Sequence, residues 1–290
     1  MKIGAVFPQT EIGADVGAVR AFAQAAETLG FDHLVVYDHV LGADFSNRPE
    51  RTGFYNYKDT FHEVFVLFGY LTGATQRLGL TTGVLVLPQR QTALVAKQAA
   101  EIDVLSKGRL RLGIGIGWND VEFEALGEDF HSRGLRSEEQ VRVLKLLWTR
   151  ELVSFEGRWH KITDAGINPL PVQRPIPVWF GGGAEQVLQR IAKLGDGWFY
   201  PGYTKYPDDE SRHRLELLHE FTRAEGRDPA SIGIEKIVKA LEPANELKKM
   251  RRAWQQVGAT HFSASTMGLG LKTPDEHIAA IRQFKQNVTG

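Results

Sequence analysis

The chain contains no cysteine, which excludes disulfides, thiolate metal sites and a cysteine nucleophile. That absence leaves the compartment open while fitting the cytosol. A charge imbalance is missing too: of 290 residues, 35 are Lys or Arg and 35 are Asp or Glu, so the formal net charge is zero. A nucleic-acid footprint would show as a strongly basic domain. No apolar run approaches the ~18 residues of a membrane helix. The opening MKIGAVFPQT has no apolar stretch of signal-peptide length either. These gaps predict a soluble, cytoplasmic globular protein with neither a nucleic-acid nor a membrane partner.

Several catalytic signatures are also absent. The first strand-like run ends in Phe7, Pro8 and Gln9 instead of the His-x-His expected of metal-dependent hydrolase barrels. There is no His-Glu-x-x-His and no Gly-x-Ser-x-Gly elbow. Metal hydrolysis and acyl transfer through serine are therefore disfavoured, and no metal is expected.

What the chain does have is rhythm. Short apolar runs at residues 2–7, 33–40, 77–88, 109–118, 177–183, 197–200, 232–238 and 260–265 read as strands. Between them lie helical stripes at 3,4 spacing, such as Val19, Phe22, Ala23 and Ala26 before Gly30. Further helices are expected over residues 60–75, 92–107 (with Thr92 as cap) and 137–148. The last opens with a capping box of Thr273, Pro274 and Glu276. Eight strand–helix alternations mean parallel strands with right-handed crossovers, and eight is the number that closes a barrel. The predicted fold is α/β, a single (β/α)8 TIM barrel with residues 1–290 as one domain. Extended loops follow strand two (residues 41–59) and strand four (residues 119–136), and a hairpin around Gly157 precedes strand five. The two long loops leave C-terminal strand ends, the face where barrel active sites sit.

Asp38 and His39 end strand two at that face. They present a carboxylate and an imidazole to a ligand, with His39 able to give or take a proton; a loop-capping Asp and a packed His would occupy the same positions. His33 opens the strand at the opposite face. GIGIGW at residues 113–118 has Gly-x-Gly-x-Gly spacing followed by Asn119, so the dinucleotide fingerprint fails. Its alternating glycines read as removing side chains so that a flat ring can approach the backbone. GGGAEQVL at residues 181–188 joins a strand to a helix, where backbone N–H groups and the helix N-terminus can hold a phosphate. A tight turn would have the same composition. Gly83 marks a bulge or a close approach, and Arg90 would bring positive charge to the mouth.

Taken together, YDHV, TTGVLVLPQRQ, LSKGRLRLGIGIGW, NPLPVQRPIPVWFGGG and LGDGWF resemble the luciferase-like monooxygenase superfamily, most of all its deazaflavin (coenzyme F420)-dependent oxidoreductases. The resemblance implies a flavin or deazaflavin at the C-terminal mouth. By it, Asp38 would contact the ring system and His39 would be the catalytic proton donor or electrostatic partner. The strand-three bulge would carry a non-proline cis peptide, for which Gly83–Val84 is the matching position. Gly115, Gly117 and Asn119 would line the cofactor, and Gly182, Gly183 and Ala184 would receive its phosphate. Trp118 would wall the substrate pocket. The aromatic loop with Phe54, Tyr55, Tyr57 and Phe61 points to an apolar or planar substrate, although such a loop also packs for its own sake.

Two departures matter. Sugar-phosphate dehydrogenases of the family carry a Glu after the strand-four Gly-x-Gly and a Trp in the loop after strand two; here these places hold Trp118 and Ala43. The luciferase branch places an Arg in the strand-four turn, where this chain has Ile116 and Gly117. The expectation is thus an F420-dependent oxidoreductase, usually a homodimer in this family, acting on a small molecule. The alternatives are an FMN-dependent monooxygenase fed by a separate flavin reductase, and a non-catalytic flavin or deazaflavin carrier.

Overall fold

The computed structural model describes residues 1–46, 53 and 55–289. Its strands, in chain order, are β1 (Lys2–Val6), β2 (His33–Val36), β3 (Gly79–Thr82), β4 (Leu85–Val86), β5 (Leu110–Gly115), β6 (Val153–Glu156), β7 (Lys161–Ala165), β8 (Val178–Gly181), β9 (Gly197–Tyr200), β10 (Gly233–Lys239) and β11 (His261–Ser265). The helices are α1 (Gln9–Ile12), α2 (Val16–Thr28), α3 (Val64–Ala74), α4 (Thr92–Ser106), α5 (Asp120–Ala125), α6 (Arg133–Thr149), α7 (Glu185–Leu194), α8 (Asp209–Ala224), α9 (Ala244–Gln256) and α10 (Pro274–Thr289). The parallel sheet runs β3-β2-β1-β11-β10-β9-β8-β5, and β3 pairs with β5 to close it. This is the (β/α)8 barrel, with β4 continuing β3 beyond a break. The antiparallel pair β6–β7 is the hairpin before strand five. No described helix is long and apolar enough to cross a membrane.

Local chemistry sets the helix ends. Asp15 caps α2 by accepting from the Ala18 N–H at 2.7 Å, and Val19, Phe22, Ala23 and Ala26 form its buried stripe. Glu63 caps α3 through the Val66 N–H at 2.8 Å, so that helix begins later than the apolar run suggests. Thr273 and Glu276 exchange the two bonds of the capping box. Thr92 does not cap α4. It lies inside the first turn, where its hydroxyl meets His160 at 2.6 Å and Gln140 at 3.0 Å, and Gln91 is the cap residue. Strand two also stops early, at Val36, where pairing with Thr82 ends.

The barrel interior has two tiers. At the N-terminal end Glu235 is fully buried. One carboxylate oxygen accepts from His33 Nε2 at 2.8 Å and Ser263 Oγ at 2.5 Å; the other accepts from Arg111 Nη2 at 2.5 Å. The Arg111 guanidinium lies 4.1 Å from the Trp179 ring centroid. Burial opposes the Glu235 charge, but Arg111 and His33 outweigh it and hold the carboxyl far below its usual range. Above this cluster Val6, Val35, Trp179 and Phe199 form an apolar tier, which the mouth rests on.

Burial, and then the Arg111 charge, push His261 down to about 3, and burial likewise lowers His33. Below the unfolded histidine value of ~6.5 the unfolded chain takes up protons that these folded side chains refuse, so stability must fall with pH. Between pH 6 and 5 an unfolded Glu is still ionised, so the Glu235 contribution is unchanged there and the slope isolates the histidines. Urea unfolding across that window is expected to show His261→Gln losing up to about 1.4 kcal/mol per pH unit of the wild-type slope. Identical slopes would show that His261 titrates alike in both states.

Candidate active site

A cavity of about 480 Å³ opens at the C-terminal ends of the strands. Its wall takes Tyr37, Asp38 and His39 from the β2 exit, Val84 and Val86 from the bulge, and Gly115 to Trp118 from the β5 exit. Gly181 ends β8 and Gly182 follows it, and Phe199 to Tyr203 come from β9 and the loop after it.

The bulge determines which side chains reach this space. Thr81 pairs with Arg111 and Leu85 with Ile114, so four steps on the β3–β4 segment match three on β5. The extra residue shifts the inward parity from Thr81 to Val84 and Val86. Both valines then fill the room left by glycines. A Cβ on Gly115 would stand 2.5 Å from Val84 Cγ2, and one on Gly117 would stand 2.6 Å from Val86 Cγ1. The side chains missing from GIGIGW thus admit the neighbouring valines, and Gly115 and Gly117 still line the cavity. The Gly83–Val84 peptide is cis.

Asp38 is 2% exposed. Its Oδ1 accepts from Arg90 Nη2 at 2.7 Å and its Oδ2 from the Val86 N–H at 3.0 Å. Arg90 also donates to Glu63 at 2.8 Å. Burial opposes the Arg90 charge, but Asp38 and Glu63 outweigh it and hold its pKa above the ordinary value. With both oxygens engaged, Asp38 lines the cavity as the anchor of this turn. The charge expected of Arg90 at the mouth is already paired.

His39 is placed by its surroundings. Its Nδ1 meets Glu122 Oε2 at 3.2 Å, and its ring packs among Tyr55, Phe61 and Trp118 at centroid distances of 5.2, 4.9 and 5.8 Å. Glu122, on α5, also accepts from the Val40 and Leu41 N–H groups at 2.5 and 3.1 Å. Burial works against its charge, but hydrogen bonds from His39 and the Val40 N–H help to hold its carboxyl below the usual range. The carboxylate makes Nδ1 the protonated nitrogen and leaves Nε2 for the cavity.

Gly182 has φ +108°, which favours glycine, and Ala184 is the cap residue of α7 with no side-chain cap bond. A Cβ on Gly183 would come 2.6 Å from Arg214 Nη1, so a guanidinium stands beside this turn. Gly183 and Ala184 sit on the rim beyond the lining residue Gly182. Other expected residues are placed elsewhere. Asn119 is buried, and its amide donates to the Leu41 carbonyl at 3.3 Å instead of lining the cavity. Tyr57 is 58% exposed and turns to solvent, because its loop offers the cavity Tyr55 instead. Phe54 lies outside the described residues. Sequence reasoning missed Glu122, Tyr37, Tyr203 and Arg214. Of these only Tyr37 had a signal, the two-residue period from the inward Val35. Among the described residues no group of three or more His, Asp or Glu side chains could hold a metal.

Glu122→Ala leaves two backbone donors and His39 without their acceptor, so urea unfolding is expected to show a loss of about 2–4 kcal/mol. Glu122→Gln keeps an oxygen for the backbone donors and should lose less than half as much. Equal losses would mean that the carboxylate, and not the shared acceptor, holds the loop.

Compared with known proteins, residues 1–266 match the family described as luciferase-like monooxygenase. Over 203 residues the chain is 32% identical to an uncharacterized protein of Mycobacterium tuberculosis, covering 68% of this chain and 70% of that one. It is 32% identical over 189 residues to the FMNH2-dependent dimethylsulfone monooxygenase of Pseudomonas putida, covering 64% of this chain and 48% of that protein. The solved structure of the coenzyme F420-dependent tetrahydromethanopterin reductase from Methanopyrus kandleri shares the fold, with a TM-score of 0.76 at 15% identity over 99% of this chain and 98% of that one. The family match spans most of the chain and the fold agrees with it, so the chain belongs to the luciferase-like monooxygenase family.

Proposed function

We propose that this chain is an F420-dependent oxidoreductase that transfers a hydride between the coenzyme and a small organic substrate. The carrying observation is one cavity with His39, oriented by Glu122, on one wall and the glycine turn beside Arg214 on its rim. The residues suit such a group. The Val84 seat is flat because Gly115 and Gly181 carry no side chain, a Cβ on Gly181 standing 2.9 Å from Val84 Cγ1. The uncapped first turn of α7 and Arg214 suit its phosphate. Bound there, the coenzyme supplies hydride chemistry at a ring carbon.

The chain's own part is binding, orientation and proton handling. Gly182, Gly183, Ala184 and Arg214 hold the phosphate. Asp38 fixes the bulge through the Val86 N–H and so positions Val84 under the ring. His39 Nε2 gives or takes the accompanying proton, and Trp118 closes the substrate side. An FMN-dependent monooxygenase served by a flavin reductase is the second reading, favoured by the similarity to the Pseudomonas putida enzyme. Ile116 and Gly117, in the turn where the luciferase branch has an arginine, favour the deazaflavin. The reading includes a cytoplasmic homodimer; sedimentation equilibrium of the purified chain checks its mass.

Fluorescence titration with oxidised F420 and FMN in parallel is expected to give micromolar deazaflavin binding and weaker FMN binding. The reverse order makes the monooxygenase reading the better one. His39→Ala should bind the coenzyme normally while losing at least about 100-fold in turnover; a carrier would show no turnover to lose. Arg214→Ala should weaken F420 binding about 10-fold and leave the phosphate-free deazaflavin ribitol unaffected.

A further inference from the structure

The cavity offers hydrogen-bond donors beyond those the proposed proton transfer needs. Three phenols line it: Tyr37 at the β2 exit, Tyr55 in the aromatic loop and Tyr203 after β9. Tyr203 is close enough to act electrostatically on both Tyr37 and Tyr55. Burial first, and then this company, hold the Tyr37 phenol well above its usual range and push Tyr55 up to about 12. Both therefore keep their protons at any working pH and present O–H donors.

Tyr37 is packed into the wall, and Tyr203, 55% exposed, stands at its outer edge. The Tyr37 ring packs against the apolar tier, and a Cβ on Gly83 would lie 3.7 Å from its Cδ1. Tyr203 is fixed from the other side. The Lys239 ammonium stands 4.8 Å from its ring centroid and donates to the Met267 carbonyl at 2.6 Å. The residues flanking Tyr203 are tied down as well: the fully buried Lys236 donates to the Gly202 carbonyl at 2.8 Å and to the Thr204 hydroxyl at 3.2 Å. Each phenol carries one O–H that it can give to a ligand.

The charges of the wall are already used. Asp38 is bound to Arg90, and no Lys or Arg is among the described lining residues. A carboxylate entering the aromatic part of this space, away from the Arg214 rim, would lose its hydration without gaining a cation from the described lining residues. The remaining wall is aromatic, with Trp118, Tyr55 and Phe199 offering flat faces.

We propose that the substrate of this cavity is an uncharged planar molecule with a hydrogen-bond-accepting oxygen, a quinone or conjugated ketone by chemical class, with its oxygen on the Tyr37–Tyr203 hydroxyl pair and its plane against the aromatic walls. The proposal rests on the reading of the cavity as a coenzyme-dependent site, and makes Tyr37 and Tyr203 specificity-determining residues.

Equilibrium dialysis of the full chain, with and without added F420, tests it with three probes. Menadione is planar, neutral and carries two carbonyl oxygens; 2-methylnaphthalene has the same bicycle without oxygen; 2-naphthoate adds a negative charge. Menadione is expected to bind at least about 10-fold more tightly than either of the others. Tyr203→Phe should reduce the preference for menadione over 2-methylnaphthalene about 3- to 10-fold while leaving 2-methylnaphthalene binding unchanged, and Tyr37→Phe should act in the same direction. No preference, tighter naphthoate binding, or an equal loss for both neutral probes in Tyr203→Phe overturns the proposal. Coenzyme affinity is read separately. A chain that binds F420 but prefers naphthoate loses only this inference, and one that binds menadione through its tyrosines but no coenzyme loses only the coenzyme reading.

Discussion

A one-residue slip between the β3–β4 segment and β5 governs the mouth of this barrel. Strands in a closed sheet alternate strictly between inward and outward side chains, so a strand cannot serve the lower interior and the upper cavity with different residues unless its register breaks. The break after Thr82 does this. It turns Val84 and Val86 inward, and β5 must then carry glycine at 115 and 117 to receive them. It also frees the Val86 N–H from the ladder, and Asp38 takes that donor. Arg90 then compensates the buried Asp38 charge and reaches Glu63, the cap of α3. Bulge, glycines, buried carboxylate and helix cap form one connected arrangement, and none of the four is independent of the others.

The two ends of the barrel use ionisable groups in opposite ways. At the base, Glu235, Arg111 and His33 satisfy one another inside a closed interior. Such a network adds specificity and conditional stability more than net stability, because desolvation offsets much of the attraction. At the mouth, each charged group fixes backbone or an aromatic side chain. Glu122 holds the chain after His39, Asp38 holds the bulge, and Lys236 holds the Tyr203 loop. The apolar tier of Val6, Val35, Trp179 and Phe199 separates the two regions. The mouth can therefore present a neutral, aromatic cavity even though charged residues surround it.

The fold was readable from periodicity because eight short buried runs and their intervening stripes admit few closures. His39 and Asp38 were readable as lining residues of the mouth because they sit at a strand exit, where a barrel sends side chains to that face. Their roles were not. Glu122 lies 83 positions from His39 and comes from an irregular loop and a short helix with no periodic signal. Asn119 was misassigned since adjacency to the glycine run does not set side-chain direction; its amide turns back to the Leu41 loop. Tyr57 failed for the opposite reason: an aromatic loop has two sides, and composition does not say which one faces the barrel. The glycines at 115 and 117 were recognised as making room, but what fills that room depends on a register slip in a different strand, and spacing within β5 carries no trace of it.

The charged base has a consequence for how such a scaffold diversifies. Loops at the mouth can lengthen, shorten or change their aromatic content without touching Glu235, His33 or His261, since the apolar tier lies between them. A change of substrate by loop exchange therefore leaves the base protonation equilibria where they were. Acid tolerance becomes an inherited property of the strands, passed unchanged to every descendant of the barrel, while selectivity drifts with the loops. Selection for a more acidic habitat would have to act on β2, β10 and β11, not on the loops of the mouth.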